Sequence, residues 1–412
     1  MTHFTRIGRL FFNALVAGVI SAGFVSCSDD DSPAPRYPLA ISDTMPEGVP
    51  STAAVTSGSL VLTELNTRVV SEIQLPMPEG TAIPAGTYNV EGNMTVKYSS
   101  DGAQVERSLR AVASQVVISS TAQSLSLNWF YYNPENTLVF GEIYVTGSLN
   151  AKGTGGLYDS YFTIYNNTDE VIYADGLAIV EGKLLNSSTD QILTPANDPE
   201  AHFTVQTVYV IPGSGYDVPV LPGESIKIVD QAIDWSTQVA GALDHTDADF
   251  EWYDNSSSAS VKDTDNPMVT NLDKWYSYSP TIWIPNNQCL KSYALVRFPE
   301  GTTVESYLAN YDGTYKYINT VTGTEMNGTK CYLIENDWIL DGVNLCNDEQ
   351  WVKGTLATSV DMSYASISTK KSDVNRFGKK FARKVSGVSP EGHVVLKDTN
   401  DSAADFEVVN AR

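Results

Sequence analysis

The sequence predicts an all-β protein: two β-sandwiches in series behind a processed N-terminal segment. Three observations predict it. Short runs of β-branched and aromatic residues recur between Gly, Pro, Asn and Asp breaks, in a chain with 29 Gly, 19 Pro and 22 Tyr. Beyond the N-terminus no stretch keeps the apolar period of an amphipathic helix. The 412 residues exceed what one domain of roughly 100–200 residues needs, so more than one core is expected. The 26 Lys and Arg against 49 Asp and Glu give a formal charge of −23, which excludes nucleic acid as the default partner because phosphate recognition needs a basic face. With 42% hydrophobic and only 18% charged residues, the chain has the composition of an ordered protein.

Residues 1–26 read as a signal peptide. Arg6 and Arg9 form the charged start, and an apolar run from Leu10 to Val25 is too short to span a bilayer as a helix. It ends in Phe24-Val-Ser-Cys27, which resembles the bacterial lipobox with Phe24 where Leu is usual. That resemblance implies acylation of Cys27 and anchoring in outer-membrane lipid, each buried methylene contributing about 0.8 kcal/mol. The following Ser28-Asp-Asp-Asp31 resembles the signal that sends Bacteroidetes lipoproteins to the cell exterior, and would equally serve as a solvated linker. Residues 27–50, acidic and rich in Pro, are read as a tether.

Residues 51–133 read as the first sandwich, of the immunoglobulin-like kind. Its strands are Ser59–Leu65, Val69–Leu75, Thr87–Tyr98, Gln115–Ser119 and Leu125–Tyr132, with Asp101-Gly102 as a hairpin signal. Residues 137–412 form the second unit. It opens with Leu138–Val145, passes a Gly-rich loop at 153–156 and continues through Ser160–Tyr165, Val171–Tyr173 and Leu177–Ile179.

A first strand containing Glu142, then Tyr161-Phe-Thr-Ile-Tyr-Asn166, then Asp175-Gly-Leu177 resembles the bacterial lamin-tail domain, itself an immunoglobulin-like sandwich. Leu221-Pro-Gly-Glu-Ser-Ile-Lys-Ile-Val229, Phe381-Ala-Arg383-Lys and the segment from Asp398 to Phe406 extend the resemblance. The unit is longer than a basic sandwich, and the excess is assigned to insertions near 183–205 and 231–330. Tyr161–Ile179, Val208–Gly215 and Asn271–Tyr276 also resemble an uncharacterised family of Bacteroidetes surface lipoproteins. The resemblance implies a setting: proteins of that kind often serve TonB-dependent β-barrel transporters or glycan handling.

Catalytic patterns are weak. His202, His245 and His393 lie outside any nucleophile-elbow context, and Gly213-Ser-Gly215 reads as a turn. The alternation Asp263-Thr-Asp265-Asn offers oxygens to a hard cation such as calcium, without the Gly and Glu of an EF-hand; a solvated loop is the plain alternative. Trp252, Tyr253, Trp275, Tyr276, Tyr278 and Trp283 crowd one insertion among Asp and Asn. Such faces suit a glycan, peptide or partner protein, though the same residues would also fill a core. Cys331 and Cys346 flank a strand–turn–strand pattern suited to a disulfide in an exported chain, with buried free thiols as the alternative. Seven Lys and Arg fall within 370–384, a docking face or a lysine-guarded edge strand. Asp401-Ser402-Ala403 resembles an O-glycosylation acceptor. The reading is a non-catalytic, outward-facing outer-membrane lipoprotein that binds a ligand or partner, with no cofactor required. A structural or adhesive module, or a carbohydrate-active enzyme, are the alternatives.

Overall fold

The computed structural model describes residues 34–412, apart from 47, 101–102, 120–122, 132–137, 154–155, 259, 353 and 390. The signal peptide and Cys27 therefore lie outside the described residues. Among the described residues no helix is long and apolar enough to cross a membrane.

The first unit is one sheet folded over a single core. Its strands are β1 Arg36–Thr44, β2 Ala54–Glu64, β3 Val70–Gln74, β4 Ala82–Pro84, β5 Gly86–Ser100, β6 Ala103–Ile118 and β7 Gln123–Tyr131, ordered β3-β2-β5-β6-β7-β1-β4. Period-two alternation turns Leu60 and Leu62, Val90, Met94 and Val96, and Leu125, Leu127 and Trp129 inward. β5 and β6 pair antiparallel with Ser100 opposite Ala103; the hairpin signal Asp101-Gly102 lies outside the described residues. Gly92 is needed on β5, because a Cβ there would stand 2.7 Å from the Trp129 ring. The tether reading is corrected: residues 36–44 form a strand running parallel to β7, with Leu39 opposite Gln123. The Trp129 indole N–H donates to Asp43 at 2.7 Å and fastens that strand to the core.

The second unit continues through β8 Leu138–Tyr144, β9 Tyr161–Asn166, β10 Ile172–Tyr173, β11 Leu177–Gly182, β12 Gln191–Ile192 and β13 His202–Val210. Then come β14 Pro219–Val220, β15 Ser225–Val229, β16 Phe250–Glu251, β17 Thr270–Asn271, β18 Asp273–Ser277 and β19 Ser292–Arg297. After the helix α1 Val304–Asn310 follow β20 Lys316–Ile318, β21 Glu325–Asn327, β22 Tyr332–Glu335 and β23 Ile339–Asn344. β24 Lys379–Arg383, β25 Val385–Val388, β26 Val394–Leu396, the short helix α2 Ser402–Asp405 and β27 Phe406–Asn410 end the chain.

Two large sheets face each other. One runs β17-β16-β15-β9-β8-β24-β27, the other β18-β13-β11-β19-β23, with β22 extending β13. Phe140, Phe162, Ile228 and Trp252 from the first side meet Ile179, Tyr209, Trp283 and Tyr293 from the second in one core. The second sheet is also covered outside: Val180, Phe203, Val208 and Val296 pack against Tyr307 of α1. β11 is accordingly buried at every position, which explains its unbroken run Leu-Ala-Ile-Val. The 231–330 insertion is corrected on the same ground, because β18 and β19 inside it are sheet strands and β19 sits between β11 and β23. Its Tyr-Ala-Leu-Val run is dictated by burial on both faces.

The basic stretch is also not an edge strand. β24 lies between β8 and β27, Lys380 pairs with Glu142 at 2.6 Å, and Arg383 is buried. Ser402 is 2% exposed and its hydroxyl donates to Asp361 at 2.5 Å, so it presents no accessible acceptor for a glycan.

Candidate functional site

The six aromatic residues singled out in the sequence do not form one surface. Trp252 and Trp283 are completely buried, their rings 5.0 Å apart, and Trp283 stacks on Tyr209 at 5.2 Å. They are core, because β16 leads Trp252 straight into the space between the two sheets. Trp275 stacks on Phe298 at 4.6 Å and Tyr276 meets Tyr332 edge-on at 4.6 Å, both part of the layer under α1. Tyr253 is half-buried with its neighbours Trp252 and Asp254 turned inward. Tyr278 alone among the six is substantially open, at 46% exposure.

Tyr278 follows β18, and its backbone N–H donates to Gln206 O at 2.9 Å, which fixes it beside the middle of β13, where β11 ends with Gly182 opposite Val205. Two ammonium groups lie against its ring: Lys183 Nζ is 5.9 Å and Lys291 Nζ 5.8 Å from the centroid. Lys183 stands just beyond the end of β11 and Lys291 just before β19, which are antiparallel neighbours, so the sheet itself brings them together. Glu181 lies beneath, 1% exposed, accepting from Gln206 Nε2 at 2.6 Å, the Tyr293 hydroxyl at 2.8 Å and Asn286 N at 3.0 Å. Lys291 Nζ is 3.7 Å from Glu181 and donates to Lys183 O at 3.5 Å; Lys183 Nζ donates to Gln206 Oε1 at 3.5 Å. Desolvation lowers both lysine pKa values, with Glu181 opposing the shift in each. Desolvation, then the Glu181 charge, raises that of the Tyr278 hydroxyl. Chemically this is a partly open aromatic face with cationic donors at its margin. Sequence spacing hid it, because Lys183 and Lys291 are 108 positions apart.

The remaining expectations resolve separately. Asp263 is turned inward, accepting from Asp254 N at 3.0 Å, while Asp265 points out and accepts from Asn271 at 3.0 Å. The two diverge and do not form the expected calcium pair; among the described residues no three His, Cys, Asp or Glu side chains converge to hold a metal ion. Cys289, Cys331 and Cys346 are buried free thiols, so the expected Cys331–Cys346 bridge is corrected. Cys331 packs with Ala196 and Tyr315 and donates to Gly313 O at 3.1 Å, whereas Cys346 is held beside Ala365. Burial raises their thiol pKa values, Cys289 and Cys331 to about 12 and Cys346 to about 11.

Sequence spacing also missed a Ser–His–Asp chain. Ser389 Oγ is 3.0 Å from His393 Nδ1, and His393 Nε2 is 3.1 Å from Asp169 Oδ1. Ser389 is 4% exposed and bonded within its own hairpin turn, and Asp169 also binds Arg110 of the first unit at 2.8 Å. The chain therefore ties the β25–β26 hairpin to the joint between the units. A separate cleft of about 650 Å³, between Tyr144, Leu149, Val239, Leu243 and Phe377, contains none of the residues singled out in the sequence.

Residues 221–411 match the model of the family described as Protein of unknown function (DUF4876). The fold is similar to that of a DUF4876 family protein from Bacteroides thetaiotaomicron, known from a crystal structure. The TM-score is 0.60 at 19% identity, over 90% of this chain and 94% of that one. No curated protein matches the chain.

Proposed function

We propose that this chain is a lipid-anchored, non-catalytic protein of the outer-membrane surface that binds a ligand or partner beside a TonB-dependent uptake barrel. The observation that carries the binding part is the Tyr278 face. It is an open aromatic ring bounded by two under-coordinated ammonium groups, at strand ends that a rigid double sheet holds in place. Its likeness in fold to a Bacteroides protein and the lipobox-like Phe24-Val-Ser-Cys27 support the setting. The net charge of −23 supports lipid at Cys27, and not a basic patch, as the means of attachment to an anionic surface.

The test is extraction of outer membranes carrying a tagged full-length copy, with a Cys27→Ala copy beside it, followed by mass spectrometry of what co-purifies. Membrane retention that depends on Cys27, together with a stoichiometric TonB-dependent barrel, is the expected result. A protein recovered alone sinks the transporter role, and retention unchanged in Cys27→Ala sinks the anchor.

A further inference from the structure

We infer that Lys183, Lys291 and Tyr278 form a receptor for a ring-bearing monocarboxylate, with the carboxylate between the ammonium groups and the ring on the tyrosine face. This rests on the binding reading above and names the chemistry of its ligand. Three observations lead to it.

The first is charge. The buried carboxylate of Glu181 pairs with Lys291 at 3.7 Å, while Lys183 meets only the Gln206 amide oxygen, at 3.5 Å, and the Tyr278 ring; among the described residues this leaves one surplus positive charge in a strongly acidic protein. A monoanion neutralises that surplus; a dianion such as phosphate overshoots it at a place where desolvation makes excess charge costly.

The second is unused donor capacity. Each ammonium has three N–H donors. Besides the Tyr278 ring, among the described residues Lys183 has one polar contact, at 3.5 Å, and Lys291 has polar contacts at 3.5 and 3.7 Å, although only 7% exposed. Charge-assisted N–H···O bonds normally close to about 2.7–2.9 Å. A carboxylate bringing two oxygens supplies the short partners that these groups lack.

The third is the ring. Tyr278 is the one residue of the aromatic set that the fold leaves open, and the same ring contacts both cations. A ligand held at the ammonium groups therefore lies against an aromatic face, where a second ring stacks favourably.

The experiment is isothermal titration calorimetry of the folded chain at low salt with benzoate, acetate, benzyl alcohol and inorganic phosphate. Benzoate is expected to bind at one site, more tightly than acetate or phosphate, and benzyl alcohol is expected to give no binding. Lys183→Met and Tyr278→Ala, both at partly open positions and checked for native circular dichroism, are each expected to weaken benzoate by about tenfold or more. Benzyl alcohol binding as well as benzoate, phosphate binding more tightly than benzoate, or both variants binding benzoate like the parent would overturn the assignment. Failure of benzoate to bind while membrane retention persists removes this site and leaves the surface reading standing. Benzoate binding without membrane retention does the reverse.

Discussion

Arg383 donates through Nη2 to Asp341 Oδ2 at 2.5 Å, with neither side chain more than 3% exposed. The same guanidinium reaches Asp398 at 3.2 Å and Asp405 at 3.7 Å, and its Nε donates to Phe140 O at 2.8 Å. Asp341 also accepts from Phe140 N at 2.7 Å. One arginine on β24 thus holds β8, β23 and the C-terminal turn together. Arg383→Met would leave three buried carboxylates facing one another, and the expected loss is about 3–5 kcal/mol of stability. Denaturant unfolding followed by tryptophan fluorescence measures it. Arg383→Lys should restore little, because a single ammonium cannot reproduce the branched set of bonds. A loss under about 1 kcal/mol would show that the hub is dispensable.

A second buried acidic group sets the pH dependence. Asp230 is fully buried and, among the described residues, neither carboxylate oxygen has a hydrogen-bond partner; burial, then Asp263 and Asp254, raises its pKa well above the usual value. Burial likewise raises Asp263 and Asp361 to about 7. A carboxyl group whose folded pKa is raised binds its proton more tightly in the native state. Its contribution is fully present below the unfolded value near 3.8 and is lost as pH rises through the folded value. The melting temperature should therefore fall between pH 5 and pH 8, each such proton contributing a slope of at most about 1.4 kcal/mol per pH unit. Asp230→Asn combined with Asp263→Asn should flatten that fall. A melting temperature that rises over the same range would refute the assignment.

Much of the architecture was legible in the chain because strand burial has a period of two: Leu60 and Leu62, or Leu125 and Leu127, declare their face at once. β1 was hidden by Pro38, which suggests a tether. Its missing N–H costs nothing here, since the parallel ladder with β7 begins only at Leu39. β19 was hidden inside an apparent insertion because pairing between distant segments leaves no local mark. The binding face was half legible. Aromatic crowding flagged Tyr278, but nothing local distinguished it from Trp252 and Trp283, and the lysines beside it come from distant strand ends. Arg383 drew notice through a family resemblance and as one of a basic stretch, neither of which marks it as a hub; its three carboxylates lie at positions 341, 398 and 405, and nothing local brings them to it.

The division of the aromatic set is directly measurable. Trp283→Ala removes a fully buried ring that contacts Tyr209, Phe162 and Trp252, and should cost about 3–5 kcal/mol. Tyr278→Ala, at a half-open position, should change stability by about 0.5 kcal/mol or less. Equal costs in urea unfolding would contradict the separation of core from surface.

Among the described residues three free thiols offer a check on the core itself. Cys289, Cys331 and Cys346 are each no more than 1% exposed, and burial raises all three pKa values, so at pH 8 they are protonated and shielded. A chromogenic disulfide reagent should find them unreactive in the native protein and titrate all three in denaturant under non-reducing conditions. Recovery of only one thiol after unfolding would instead reveal a bridge between two of them.

The joint between the two units turns on Gly387. A Cβ added there would stand 2.8 Å from the ring of Phe130 on β7, so the β25–β26 hairpin can approach the first unit only because residue 387 has no side chain. Around that contact, Ser386 Oγ donates to Tyr131 O at 3.2 Å, Lys397 Nζ lies 5.1 Å from the Tyr131 ring centroid, and Arg110 pairs with Asp169 at 2.8 Å. Gly387→Val should wedge the hairpin away and weaken all of these together, without touching either sandwich core. In scanning calorimetry the first unit, which has the smaller core, is then expected to melt several degrees earlier. The second unit, held by Arg383, should be unmoved. Arg110→Ala should shift the same transition in the same direction but less, because an ion pair with a partly solvated partner contributes only about 1 kcal/mol. If Gly387→Val instead lowers the second transition and spares the first, the glycine serves its own hairpin and not the joint.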